Sequence, residues 1–396
     1  MDKDIVLQLS NEIDKILPSV IKIRHHLHRY PEIALKEFKT ADYIRKTLSS
    51  LDLTTLKPFL ETDVVAFINK QKLNKNITFR ADIDALPILE QNDLPYKSVN
   101  KNLMHACGHD GHTAILIGTI MVLNKFKEKL NGSVRFVFQP GEEIVAGGAK
   151  LVAAGVLKNP EPNLLYALHG FPDLDTGSFS SKNNVITSAA DSFKIIIKGK
   201  GGHGSTPEKC IDPILTAAKI IEGLNHIVSR KISAQDSAVI SVCKVHSGTS
   251  SNVIPSTAEL EGTVRYFDQE VGKNIPTYIE DVIRGCCESM GANYEFIYEK
   301  HYIPMVNSEY AVSFGSEIVK SVFGVENWTE MKTPLMGAED FAYFIKDYPG
   351  AMFSLGLGYN TASIHNSEFD FNDNAIKNGI LFFSSLALKY LKDDIF

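Results

Sequence analysis

Four short runs of β-branched and aromatic residues in this chain each end in a cluster of acids, amides or histidines. Ile77–Arg80 leads into Ala81-Asp82-Ile83-Asp84, Val134–Phe138 into Gln139-Pro140-Gly141-Glu142-Glu143, and Leu164–Leu168 into His169-Gly170. Ala351–Leu355 leads, through a Gly-rich turn, to His365-Asn366. Helical patterns separate these runs, notably His112–Leu130 and Asn374–Leu391. Strands alternating with helices predict an α/β sheet, and such sheets place their sites beyond the carboxyl ends of the strands. Four strands that end in acids or histidines therefore predict one site.

The middle of the chain follows another order. Ser192–Lys198 reads as a strand, Ile211–Ser229 as a helix, Ala238–Val245 and Leu260–Phe267 as strands, Lys273–Met290 as a helix and Asn293–Tyr302 as a strand. That β-α-β-β-α-β order predicts a ferredoxin-like α+β domain. It is placed at 189–303, inserted between 1–188 and 304–396, and the length of 396 residues suits two domains.

A net charge of −6 argues against a nucleic-acid surface, and the lysines of Lys70–Lys75 read as a solvated loop. The N-terminal stretch has the amphipathic pattern Ile5, Leu7, Leu9, Ile13, Ile16, Leu17, without the basic start and apolar run of a signal peptide. No stretch approaches the roughly 20 apolar residues of a membrane span. The longest, Ala114–Leu123, reads as a core helix. A cytoplasmic protein with no membrane partner is expected. Five cysteines make a disulfide scaffold improbable, and Cys210, Cys243, Cys286 and Cys287 are expected as buried thiols.

The fifth, Cys107, lies in the densest chemical signal, Met104-His105-Ala106-Cys107-Gly108-His109-Asp110-Gly111-His112-Thr113. Imidazole and thiolate are ligands of zinc-like ions, and carboxylate joins them in catalytic sites. Three histidines and a cysteine ahead of an apolar helix suggest a metal-binding loop, although spacing alone does not choose among them. Cys107 and His109, two apart, would point the same way in an extended segment.

Glu142 and Glu143 follow a strand directly. One carboxylate of such a pair can bind metal while its free neighbour takes a proton from activated water. Asp82 and Asp84 could be ligands, orienters of a ligand or turn residues. His169 and His365 gain weight from their strand-end positions. His25, His26 and His28, near Pro31, read as structural. Gly199-Lys200-Gly201-Gly202-His203-Gly204 matches G-x-G-x-x-G, but Pro207 and Pro213 interrupt the helix that a dinucleotide site needs.

Together these segments resemble the hippurate hydrolase and N-acyl-L-amino-acid amidohydrolase branch of the aminoacylase and glutamate-carboxypeptidase dinuclear metallopeptidases. The resemblance runs through Arg24–His28 with Pro31-Glu32, Arg80–Pro87, His105–Thr113, Gln139–Glu143 and Gly201–Gly204. It continues in Asn252–Pro255, Glu339-Asp340-Phe341 and His365-Asn366.

The resemblance implies a zinc-peptidase-like catalytic domain, with a mixed sheet flanked by helices, and a lid that also forms a homodimer. Two divalent ions (Mn2+, Zn2+, Ni2+ or Co2+) would be bound through Cys107, His109, Glu143, His169 and His365. Glu142 would be the general base and acid, and Asp82 or Asp84 the site aspartate. His203 would polarise the scissile carbonyl, while Asn252 and Arg265 would hold the substrate carboxylate. The implied substrate is an N-acyl-L-amino acid, of hippurate or N-acetyl type. A carboxypeptidase or dipeptidase, and a catalytically silent metal-binding protein, are the alternatives.

Overall fold

Residues 1–72 and 75–392 are described in a computed structural model. Residues 73 and 74, within the lysine-rich loop, lie outside the described residues. The chain divides into two compact units, one of 1–186, 306–333 and 340–396, the other of 187–305 and 334–339.

The first unit is built on an eight-stranded mixed sheet in the order Thr54–Thr55, Val64–Ile68, Ser133–Gln139, Asn76–Asp82, Leu164–Phe171, Gly350–Gly356, Phe179–Ser181, Trp328–Glu330. Its four middle strands, from Ser133–Gln139 to Gly350–Gly356, run parallel, so their carboxyl ends share one edge. These are the strands foreseen from the four apolar runs. Every residue of Asn76–Asp82, Ser133–Gln139 and Gly350–Gly356 is buried. Covered on both faces, Gly350–Gly356 is apolar at nearly every position, whereas Asn76–Asp82 keeps Asn76, Thr78, Arg80 and Asp82 polar on one buried face.

Helices Lys3–Arg29, His109–Lys125 and Ile376–Tyr390 pack on one another, and the last two also pack on strand Asn76–Asp82. Leu9 and Ile13 of the first helix enter the core, whereas Leu7 is exposed. Helix His109–Lys125 begins three residues before the expected start and ends five before the expected end. Fourteen of its seventeen residues are buried. A helix enclosed on all sides shows no amphipathic stripe, so its ends cannot be read from periodicity.

The second unit has the order strand Ala189–Lys198, helix Pro213–Arg230, strands Ala238–Ser247 and Thr257–Tyr266, helix Gln269–Met290, strand Asn293–Tyr302. Its four-stranded sheet is antiparallel, with Ala189–Lys198 between Thr257–Tyr266 and Asn293–Tyr302, and Ala238–Ser247 at an edge. This is the ferredoxin-like arrangement. Phe193, Ile195 and Ile197 alternate inward and meet the helix stripes Ala217, Ile220, Leu224, Ile227 and Ile275, Ile279, Ile283, Cys287.

Of the four cysteines expected to be buried, only Cys287 is. Cys210 and Cys286 are half-buried, and Cys243 is exposed. Cys243 sits, exposed, at the irregularity between Val242 and Lys244 on an edge strand.

Candidate active site

At the shared strand edge of the first unit, five pieces of chain bring their functional groups together. Asp82 is the last residue of its strand, and Asp84 follows two residues later. Glu142 and Glu143 open the four-residue helix Glu142–Val145. His169 lies within strand Leu164–Phe171 rather than beyond it, and His109 opens its helix just after Cys107. His365 comes from the loop that follows Gly350–Gly356.

The turns are built for these positions. Gly108 (φ 87°) and Gly141 (φ 68°) each adopt the left-handed conformation immediately before a helix, where a side chain would cost about 1–2 kcal/mol. Cys107 and His109 converge across this left-handed turn, not along an extended segment. His365 is itself left-handed (φ 63°). Its N–H donates to the carbonyl of Ala106 at 2.7 Å, which ties its loop to the residue before Cys107.

Donor atoms of Cys107, His109 and His169 lie within 4.8 Å of one another, as do those of Cys107, Glu143 and His365, and those of His109, Glu142 and Glu143. Cys107 Sγ is 3.5 Å from His169 Nε2. Glu143 reaches His109 Nε2 with one oxygen (3.7 Å) and His365 Nε2 with the other (3.4 Å). His109 Nδ1 is 2.9 Å from the Asp84 carbonyl, and His169 Nδ1 is 2.9 Å from the Gly170 carbonyl. A carbonyl only accepts, so each ring donates from Nδ1, and Nε2 is the atom that can offer a lone pair to a metal once it carries no proton. This is how backbone groups orient metal-binding imidazoles. His109 Nε2 and Glu143 Oε1 are buried without a hydrogen-bond partner, and leaving a buried polar atom unsatisfied costs about 1–3 kcal/mol. The donor set fits a divalent transition-type ion, which would satisfy both.

The electrostatics agree. Burial lowers the pKa of His109, but Asp82, Asp84 and Glu143 outweigh it and hold the imidazole up at about 10. Without an ion, the carboxylates keep a proton there as the positive charge. Burial, then His112, takes His169 down to about 3, so it stays a neutral donor. Burial, then Glu143 and Glu142, pushes the Cys107 thiol well up.

Asp82 and His112 also lie close to His109, yet their atoms are already engaged. Asp82 accepts from His112 Nδ1 with one oxygen and from Arg80 Nη1 with the other, both at 2.7 Å. His112 Nε2 accepts the N–H of Gly170 at 2.8 Å. Arg80 extends the network, donating Nη2 to Asp340 and Nε to Gln139, both at 2.8 Å. Asp340 also accepts from Gln139 Nε2 (2.7 Å) and from the N–H of Gly148 (2.7 Å). Asp82 is thus geometrically an orienter. Asp84 braces the other side, its carboxylate accepting the N–H of Glu143 at 3.1 Å.

Sequence reasoning did not assign roles to His112, Arg80, Gln139 or Asp340. The signal was a charged residue, Arg80, inside an apolar strand, which demands buried partners. His28, read as structural, is buried and donates Nδ1 to Asp110 (2.9 Å), next to His109.

The remaining candidates are in the second unit. His203 pairs with Val253 in a two-stranded ribbon, and the Gly204 N–H donates to the Asn252 carbonyl at 2.9 Å. His203 Nδ1 accepts the N–H of Ser205 (3.1 Å). Arg265 is not beside them. It lies on strand Thr257–Tyr266, half-buried, opposite Ala190 and Val239.

Residues 78–389 match the model described as Peptidase family M20/M25/M40. The chain is 40% identical over 375 residues to the N-acetylcysteine deacetylase of Bacillus subtilis, covering 94% of this chain and 97% of that protein. It is 34% identical to the hippurate hydrolase of Campylobacter jejuni, covering 98% of each. The crystal structure of the Bacillus subtilis YxeP protein, described as a dinuclear metal-binding peptidase of the M20 family, aligns with a TM-score of 0.83. It is 36% identical, over 96% of this chain and 99% of that one.

Proposed function

The chain belongs to peptidase family M20/M25/M40 and is a hydrolase of amide bonds, and we propose that it removes the acyl group from N-acyl-L-amino acids. The observation that carries this reading is the pair of buried atoms without a hydrogen-bond partner, His109 Nε2 and Glu143 Oε1. They lie 3.7 Å apart, with donor atoms of Cys107 and His169, and of Glu142, within 4.8 Å of those of His109.

Cys107, His109, Glu143, His169 and His365 would hold two divalent ions, of manganese, zinc, nickel or cobalt. Cys107 and Glu143 each belong to two of these donor groups. When bound, such ions supply Lewis acidity to a carbonyl oxygen and make water nucleophilic near neutral pH. Glu142, buried beside His109 and Glu143, takes the proton of the attacking water on a carboxylate oxygen. It then returns that proton to the departing amine nitrogen. Asp82 and Asp84 hold His109 and Glu143 in place.

His203 is assigned to polarise the scissile carbonyl. With Nδ1 accepting from Ser205, the neutral ring carries its proton on Nε2 and can donate there, a type of contact worth about 3 kcal/mol to an oxyanion. Asn252 and Arg265 are assigned to the substrate carboxylate. Benzoyl-glycine and N-acetyl amino acids are the proposed substrates. The reading includes a homodimer through the second unit, whose edge strand Ala238–Ser247 is largely exposed. It also includes a cytoplasmic setting, supported by five free cysteines. Among the described residues, no helix is long and apolar enough to cross a membrane.

A panel of N-acetyl-amino acids, benzoyl-glycine and dipeptides, with and without chelator, tests the proposal. Release of amino acid from an N-acyl substrate, lost with chelator and restored by metal, is expected. Exclusive cleavage of dipeptides, or activity indifferent to chelation, would overturn it.

A further inference from the structure

The helix that carries Glu142 and Glu143 has four residues and a glycine N-cap without a side-chain hydrogen bond. One turn of helix has no stability of its own. Whatever aims these two carboxylates must therefore come from elsewhere.

Two buried acids supply it. Asp84, already described, accepts the N–H of Glu143. The other is Glu37, which is fully buried and distant in sequence. Glu37 Oε1 accepts the N–H of Gly141 at 2.9 Å and the N–H of Leu35 at 2.9 Å. Both donors belong to left-handed residues, Leu35 at φ 60° and Gly141 at φ 68°, so a single oxygen pins two left-handed turns. Glu37 is also the N-cap residue of helix Phe38–Leu48, yet its side chain makes no capping bond to that helix. The side chains that favour that position, Ser, Thr, Asp and Asn, are short enough to cap their own helix. Here the carboxylate is turned to the neighbouring turn instead. Keeping it buried is costly: burial raises its pKa to about 7, and the charge of Asp84 adds to the shift.

We propose that Glu37 is a positioning residue that fixes the Gly141 turn, so that Glu142 and Glu143 leave it in their separate directions. It acts through the backbone of Gly141, and the inference rests on the roles given above to Glu142 and Glu143. The turn needs an acceptor oxygen, and the charge is secondary.

Three variants of the full chain separate acceptor, volume and charge: Glu37→Gln, Glu37→Met and Glu37→Ala. Gln keeps an oxygen for both N–H groups, whereas Met fills the space without an acceptor. Affinity for Mn2+ by calorimetry, and kcat and KM on an N-acetyl amino acid, are the readouts. The Met and Ala variants should bind Mn2+ about 10- to 100-fold more weakly. Their kcat should fall about 100-fold, with KM little changed, as expected of a small misplacement at the reacting groups. The Gln variant should stay close to the parent in both. A Met variant with parental Mn2+ affinity and kcat would overturn the proposal, as would a Gln variant as damaged as Met. If the parent hydrolyses no N-acyl substrate, the reading of function fails, while the Mn2+ titration still decides the role of Glu37.

Discussion

Loading this site with metal should expel two protons near neutral pH. Cys107 is a thiol in the metal-free protein, because burial and the neighbouring Glu143 and Glu142 push its pKa well above the ordinary value. His109 is an imidazolium, held at about 10 by Asp82, Asp84 and Glu143 against the opposing effect of burial. His169, taken down to about 3, has no proton to give. A thiolate and a neutral imidazole are needed for coordination, so Cys107 and His109 give up one proton each. Each proton changes the free energy of loading by about 1.4 kcal/mol per pH unit. For two, the overall association constant should rise about 100-fold per unit between roughly pH 7 and 9.

The sign follows from His109. Its raised pKa stabilises the metal-free fold below about pH 6.5, and that contribution is lost as the pH climbs through about 10. Rising pH therefore weakens the metal-free state while it favours loading. Calorimetric titration with Zn2+ at about pH 7.5, in buffers of different ionisation enthalpy, counts the protons directly. Two are expected for the parent. A count near zero would refute the protonation states derived from the site.

Three further outcomes follow. Glu142→Gln should keep its metal, measured by elemental analysis, while kcat falls about 10²- to 10⁴-fold as general-base catalysis is lost; near-parental turnover would remove Glu142 from the mechanism. Cys107→Ala should lose bound metal, and full occupancy in that variant would show the proposed donor set to be wrong. Asp340→Ala strips a buried acceptor from Arg80 Nη2, Gln139 Nε2 and the Gly148 N–H. It should cost about 3–5 kcal/mol in denaturant unfolding, and an unmoved midpoint would mean that the network carries no stability.

The fold was legible wherever burial is one-sided or strands are short. Strand Asn293–Tyr302 is foreseen to the residue, because its alternation faces a core on one side only. Helix His109–Lys125 was misplaced at both ends for the opposite reason, burial all round. Nor did sequence reveal that Pro334–Glu339 belongs with the second unit, where Leu335 bridges to Thr187. That return rests on a long-range backbone pairing with no local signature.

At the site, residue types and strand-end positions singled out side chains that the first unit does bring close together. The left-handed turn at Gly108 and the Asp82–Arg80–Asp340 network were not readable. One is a backbone torsion, and the other joins residues up to 260 positions apart. Asp82 and Asp84 could not be told apart by spacing, and they proved to brace different partners, His112 and the Glu143 N–H.

Anomalous diffraction from crystals soaked in Mn2+ tests the core of the account most directly. Two peaks are predicted at the strand edge of the first unit, each within coordination distance of side chains among Cys107, His109, Glu143, His169 and His365. A single peak elsewhere, or no ordered ion among these five side chains, would contradict it.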